Sequence, residues 1–268
     1  GAERIFEILD TPSAITDVED AEPMPTIEGA VSFEHVTFSY DDETKVLDDV
    51  SFTVKPGETI ALVGATGAGK STIVNLISRF YDVQQGSVKI DGKEIKNVTL
   101  ESLRCQMGIM TQDNFLFTGT IKDNIRYGRL DATDEEIVAA AKAVKAHDFI
   151  MKLENGYDTM LTERGGGLSI GQKQLLAFAR TMVSKPAILI LDEATSSIDT
   201  QTEKLVQQGI EELLRDRTSF VIAHRLSTIQ KADRIFVIED GRIIEEGNVT
   251  ELLALKGAYY RLHMAQAI

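Results

Sequence analysis

The chain has 268 residues, 43% of them hydrophobic, enough to bury a real core in one large domain or in a core with a subdomain. Its formal net charge of -14, from 28 Lys and Arg against 42 Asp and Glu, excludes a polyanion binder that works through a basic surface, so no nucleic-acid partner is expected. The single cysteine, Cys105, excludes an intrachain disulfide and a cysteine-built metal site, and no stretch reaches the run of about 18 apolar residues that a membrane-spanning helix needs.

The opening Gly1-Ala2-Glu3-Arg4 has neither an initiating methionine nor a secretory-signal layout, which predicts a piece of a longer protein. Residues 2–9 read as the end of a helix, with Ile5, Ile8 and Leu9 at helical spacing, and the acidic, proline-bearing residues 10–29 read as a linker. Strand patterning begins at Val31, where Val31, Phe33 and His35 alternate with polar residues; residues 36–40 and 46–54 keep the same period, and Pro56-Gly57 marks a turn. The apolar residues 59–63 run into a glycine loop, and residues 70–80 read as the helix after it. Residues 87–90 followed by Asp91-Gly92 signal a hairpin, and residues 107–110 a further strand. Residues 134–146 form an alanine-rich helix with Thr133 as N-cap and Glu135-Glu136 in its first turn. Residues 172–183 form another, burying Leu175, Leu176, Ala179 and Met182 on one stripe. Residues 188–191 are wholly apolar, as in a parallel strand covered on both faces; residues 218–223 and 234–238 repeat the type, with a helix over 202–214 between them. Alternating strands and helices predict an α/β domain, into which the mostly helical residues 112–185 are inserted.

Gly64-Ala65-Thr66-Gly67-Ala68-Gly69-Lys70-Ser71 fits the phosphate-loop pattern and stands between an apolar strand and a helix, as that pattern requires. Glycines let backbone N–H groups converge on phosphates, the helix offers its positive end, Lys70 adds a charge and the Ser71 hydroxyl can ligate Mg²⁺. Gly64, Thr66, Gly67, Ala68, Gly69, Lys70, Ser71 and Thr72 are therefore the candidate positions for binding a nucleoside triphosphate. Asp192 and Glu193 leave an apolar strand at the carboxyl edge where such sheets bind ligands; Asp192 is the candidate metal ligand and Glu193 the candidate general base. Gln112, after residues 107–110, is placed at the same edge within reach of metal or water, a placement that an ordinary surface glutamine also satisfies. His224 ends the strand over 220–223 and would face the reacting phosphate, whereas His35, His147 and His263 read as structural. Tyr40 either stacks on adenine or is a routine strand aromatic.

Together with Leu168-Ser169-Ile170-Gly171-Gln172, which looks like the signature L-S-G-G-Q, these motifs resemble the nucleotide-binding domain of ATP-binding-cassette (ABC) transporters, over nearly the whole chain from Val31 onward. The resemblance implies a phosphate-loop ATPase with a RecA-like core, an antiparallel β subdomain and a helical subdomain carrying the signature. It makes Tyr40 the adenine-stacking residue, Gln112 the coupling-loop glutamine, Ser196-Ser197-Ile198-Asp199 the D-loop and His224 the switch histidine. ATP and Mg²⁺ are the implied cofactors. Thr111-Gln112-Asp113 with Leu116-Phe117-Thr118-Gly119-Thr120-Ile121, and Gly156-Tyr157-Asp158-Thr159 leading to Glu163-Arg164-Gly165, are similar to the exporter form. Residues 2–10 resemble the exit from the last membrane helix of exporters that fuse both domains in one polypeptide.

The implied plan is a linker from a transmembrane domain over 1–30, an ATP-binding core with β subdomain over 31–112, a helical subdomain over 113–185, the second part of the core over 186–248 and C-terminal helices over 249–268. Such a domain would work on the cytoplasmic side of a membrane, with the transmembrane domains of the same polypeptide and a second nucleotide-binding domain as partners. Each signature, here Ser169, Ile170, Gly171 and Gln172, would cover the ATP of the other domain head to tail. Two positions depart from the family pattern: Ile170 stands for the first signature glycine and Thr162 for a glycine ahead of it. Ile170 is expected to strain a backbone that favours positive φ and to crowd the phosphate, which suggests one half of a heterodimeric exporter; a homodimeric exporter and a soluble, non-transport cassette ATPase are the alternatives.

Overall fold

The computed structural model describes residues 15–111, 115–193 and 198–266. The helix end read over residues 2–9, the coupling-loop glutamine Gln112 and the D-loop serines Ser196 and Ser197 lie outside these residues.

Strands β1 (Val31–Phe38) and β2 (Leu47–Val54) pair antiparallel, and β1 also pairs with β4 (Gln85–Ile90), which turns back into β5 (Lys93–Glu94) to give a four-stranded sheet of order β2-β1-β4-β5. Phe33 lies opposite Phe52 and the two rings stack at 4.5 Å. The predicted alternation fails at His35. A register shift between Phe33 and Val36 inserts an extra residue, His35 takes φ 46° and stays exposed beside Asp49, and Val36 takes the inward place. The Asp91-Gly92 hairpin forms as expected, with positive φ at both residues (52° and 79°) and Ile90 opposite Lys93. The Asp91 carboxylate also accepts the backbone N–H groups of Glu28, Gly29 and Ala30. With Met24 and Ile27 buried and their N–H groups bonded to Ser102 and Gln106, the later part of the segment read as a linker is held against the fold.

The second sheet has six strands. β3 (Thr59–Val63) leads through the glycine loop into α1 (Lys70–Ile77); β6 (Met107–Met110) follows the short α2 (Leu100–Arg104). β9 (Ile188–Asp192), β10 (Thr218–Ile222) and β11 (Arg234–Glu239) complete the parallel part, and β12 (Arg242–Gly247) adds an antiparallel edge, in the order β12-β11-β3-β10-β9-β6. Side chains alternate between two cores. Ile60, Leu62, Ile190, Phe220, Ile222 and Phe236 face α1 and the antiparallel sheet, while Ala61, Val63, Leu189, Leu191, Val221 and Val237 face the other helices. Burial on both faces is why these strands read as unbroken apolar runs.

Between β6 and β9 the chain forms β7 (Gly119–Thr120), α3 (Ile121–Arg126), α4 (Asp134–Ala143), α5 (His147–Lys152), β8 (Met160–Leu161) and α6 (Ile170–Ser184). α4 starts where expected, with a capping box in which Thr133 accepts the Glu136 N–H and Glu136 accepts the Thr133 N–H. It stops three residues short of the predicted end, because Lys145 turns left-handed at φ 70°. α1 likewise ends at Ile77, ahead of Arg79 at φ 56°. On α6 the buried stripe runs through Leu175, Leu176, Ala179 and Val183, with Met182 only half-buried. The remaining helices are α7 (Thr200–Leu214), α8 (Leu226–Lys231), α9 (Val249–Leu255) and α10 (Ala258–Gln266).

Candidate nucleotide site

The carboxyl ends of β3, β9 and β10 stand side by side, and each delivers part of the site. From β3 comes the glycine loop. Gly64 sits at φ 149°, where a Cβ would collide with the Ile238 carbonyl oxygen, and Gly67 at φ 82° faces open space. Gly69, at φ 120°, occupies the N-cap of α1, so no side chain caps this helix and no acidic residue stands in its first turn. Its leading N–H groups are thus left for an anion. Ala68 ties the loop down, donating to Ala65 O and accepting from Gly241 N.

Lys70 reaches back to donate to Gly64 O at 2.7 Å. Burial pushes its ammonium below the ordinary lysine range, and only the Asp192 carboxylate works against that shift. Such a cation gains from an arriving polyphosphate. Thr72, buried one residue beyond Ser71, bonds the Tyr40 hydroxyl at 2.9 Å, and Asn75 donates to the same oxygen. The Tyr40 ring packs edge-on against Phe38 and Tyr81, both at 4.8 Å, and remains 47% exposed, so it combines a pinned hydroxyl with an accessible aromatic body.

At the exit of β9, Asp192 is half-buried with its Oδ1 3.8 Å from His224 Nε2, beyond hydrogen-bond length. Among the described residues no group of three or more His, Cys, Asp and Glu side chains stands ready to hold a metal. Ser71 and Asp192 supply the oxygen chemistry that Mg²⁺ prefers, and an ion held by two protein oxygens would complete its shell with phosphate and water, its usual habit at such sites.

Glu193 is placed differently from the reading of it as a poised base. Its side chain is 1% exposed and both carboxylate oxygens are engaged. Oε1 accepts the N–H groups of His224 (3.0 Å) and Arg225 (3.2 Å); Oε2 accepts Arg225 Nη1 (3.0 Å) and the Thr228 hydroxyl (2.9 Å). Arg225 in turn donates through Nε to Glu203 Oε1 at 2.6 Å. Although burial opposes the charge, hydrogen bonds to Glu193 and Glu203 hold the Arg225 guanidinium above its ordinary range. Arg225, Glu203 and Thr228 were not legible as site residues. Their sole sequence signal is an arginine directly after His224, and their carboxylate partners lie 32 and 22 residues away.

The signature forms the N-terminus of α6. Ser169 is its N-cap, accepting the Gln172 N–H at 3.1 Å, while Gln172 Oε1 accepts the Ser169 N–H at 3.0 Å. The expected strain at Ile170 is absent: it is the first helical residue, it takes no positive φ, and its side chain is 49% exposed. The first helical position makes no demand that a β-branched residue cannot meet. Thr162 is likewise at ease, at φ −82° and ψ −177°. Gly171 carries the steric demand, because a Cβ there would collide with Thr202 Cγ2 on α7. Asp199 caps α7 by accepting the Thr202 N–H, which holds its carboxyl below the ordinary aspartate range.

A glycine loop at the exit of a central parallel strand, an uncapped helix after it and an acidic exit two strands away define a phosphate-loop nucleotide-binding domain. The "ABC transporter" family model matches residues 47–196, and the chain belongs to that family. It is 54% identical over 99% of its length to the ABC transporter ATP-binding protein YknV of Bacillus subtilis, covering 44% of that protein. It is 50% identical over 98% of its length to a fatty acid ABC transporter ATP-binding/permease protein of Mycobacterium bovis, covering 42% of it. A solved bacterial Atm1-family ABC exporter with ATP bound superimposes with a TM-score of 0.88 at 43% identity, over the whole of this chain and 47% of that one. The chain thus spans less than half the length of the relatives it matches.

Proposed function

We propose that the chain is the ATP-hydrolysing domain of an exporter, acting on the cytoplasmic side of a membrane beneath transmembrane domains of the same polypeptide. The observation that carries this reading is the convergence of Lys70, Asp192 and His224 at adjacent strand exits around an uncapped helix N-terminus. The permease halves in the names of the relatives, and the exporter title of the structural neighbour, support the transport role. The division into linker, core with β subdomain, helical subdomain, second core part and C-terminal helices belongs to the same proposal.

Gly64, Thr66, Gly67, Ala68, Gly69 and Thr72 shape the cradle, and Lys70 and the α1 dipole attract the phosphates. Ser71, Asp192 and Gln112 would hold Mg²⁺, which when bound neutralises phosphate charge. Tyr40 offers its exposed ring to adenine. His224 orients the attacking water and terminal phosphate, and Glu193 takes the water's proton once it leaves its buried hydrogen bonds. In a second domain arranged head to tail, Ser169 keeps its hydroxyl proton for that domain's ATP, since capping α6 uses only an acceptor site. Gly171 and Gln172 add the helix N-terminus, Ile170 borders it, and Asp199 sets the D-loop end of α7.

Steady-state hydrolysis and nucleotide binding test this together. Glu193→Gln should retain ATP binding and lose about 10²–10⁴-fold in turnover, while Lys70→Ala should lose ATP binding itself. Retained turnover in Glu193→Gln would overturn Glu193 as base.

A further inference from the structure

A carboxylate offers about four acceptor sites, and Glu193 spends them on four donors at an almost fully buried position. No site is left for the proton of a water molecule. To act as base, Glu193 must swing out, which would strand the guanidinium of Arg225, itself only 13% exposed, without its partner. Stranding a buried charge is costly. Glu203 removes that obstacle: it already accepts Arg225 Nε at 2.6 Å and Nη2 at 3.5 Å, and Gln207 steadies it with a hydrogen bond of 3.1 Å.

We propose that Arg225 is a positioning residue shared between two carboxylates, withholding Glu193 from water in the resting domain and passing to Glu203 when Glu193 is released. The inference rests on Glu193 being the base. Glu203 is suited to report closure of the paired domains, because it lies in the first turn of α7 beside Thr202, the residue packed against Gly171 of the signature. A shift of the signature helix on engaging a second domain's ATP would move α7, and with it the acceptor that competes for Arg225. The Ser227 hydroxyl on α8 donates to Gln207 Oε1 on α7 at 2.7 Å, a second link between α7 and the segment that carries Arg225.

The test is single-turnover ATP hydrolysis with protein in excess, alongside nucleotide affinity. Arg225→Gln removes the one charged donor and opens an acceptor site on Glu193 Oε2, leaving the two backbone N–H groups and Thr228, and should raise the rate about twofold or more; Glu203→Gln leaves Arg225 to Glu193 alone and should lower it about fivefold or more, differences worth roughly 0.4 and 1 kcal/mol in barrier. ATP affinity should stay unchanged in both. The double variant should behave like Arg225→Gln, since Glu203 acts only through Arg225. Should Arg225→Gln fail to fold, Arg225→Lys keeps the charge without the fork that spans two carboxylates and should also speed hydrolysis. Slowing in both single variants, or an unaltered rate in Glu203→Gln, would overturn the proposal. Undiminished hydrolysis in Glu193→Gln would instead overturn the assignment of the base and leave the hydrogen-bond network without this role.

Discussion

A single missing methyl group decides whether the signature can meet α7. Gly171 is buried, and a Cβ there would overlap Thr202 Cγ2 and come within 3.1 Å of Ile198 Cγ2. Gly171→Ala is therefore expected to cost about 1–3 kcal/mol, the usual range for overpacking a tight contact, read as a lower denaturant midpoint with an unchanged slope. Thr202→Ser removes the offending methyl and keeps the hydroxyl, so Gly171→Ala/Thr202→Ser should recover most of the loss. No recovery would mean that Gly171 is required for another reason, such as close approach to phosphate. Ile170 makes the opposite point. A family pattern with glycine there suggests a strained backbone, yet the first position of a helix accepts isoleucine without strain, so what distinguishes Ile170 is its exposed side chain.

Two helices between β6 and β9 carry the same N-terminal device. α4 and α6 each begin with a hydroxyl cap and a side chain three residues on that closes the box. Thr133→Ala and Ser169→Ala should each cost about 1 kcal/mol, but only Ser169→Ala should also weaken ATP-dependent pairing of domains, because only that hydroxyl stands at a signature. Equal effects on pairing would reduce Ser169 to a helix cap. Such local devices are what the sequence makes readable: the phosphate loop, the Asp91-Gly92 hairpin and the Thr133 cap each depend on a few neighbouring residues and form where expected. The bulge at His35 depends on register against β2, which no local alternation encodes. The engagement of Glu193 by Arg225 depends on a contact across 32 residues, so a motif that marks Glu193 as the candidate base does not say where its carboxylate lies. Helix ends missed by three residues, at Ile77 and Ala143, fall where Arg79 and Lys145 adopt left-handed conformations that only the completed packing imposes.

For the molecule as a whole, the strongest constraint on pairing is charge. Each copy carries a formal net charge of -14, and bound nucleotide adds more of the same sign, so two copies approach against their own repulsion. Screening sets how far that repulsion reaches: about 30 Å at 0.01 M salt but about 8 Å at 0.15 M. Glu193→Gln protein, which should hold ATP without cleaving it, is thus expected to double its mass in light scattering when Mg-ATP is added at physiological ionic strength. The effect should shrink as salt is removed, whereas a pair held by salt bridges would show the reverse. A doubled mass would mean that the exposed Ile170 side chain does not obstruct a second copy. A single mass with ATP bound, at every salt concentration, would mean that two copies do not close on their own. The partner would then be a different chain, or a tether such as the proposed transmembrane domains would supply the local concentration that free domains lack. Adding Ile170→Gly then tests the side chain itself: if it restores pairing, the isoleucine was the obstacle, and if it does not, the cause is the missing tether or the need for a dissimilar partner.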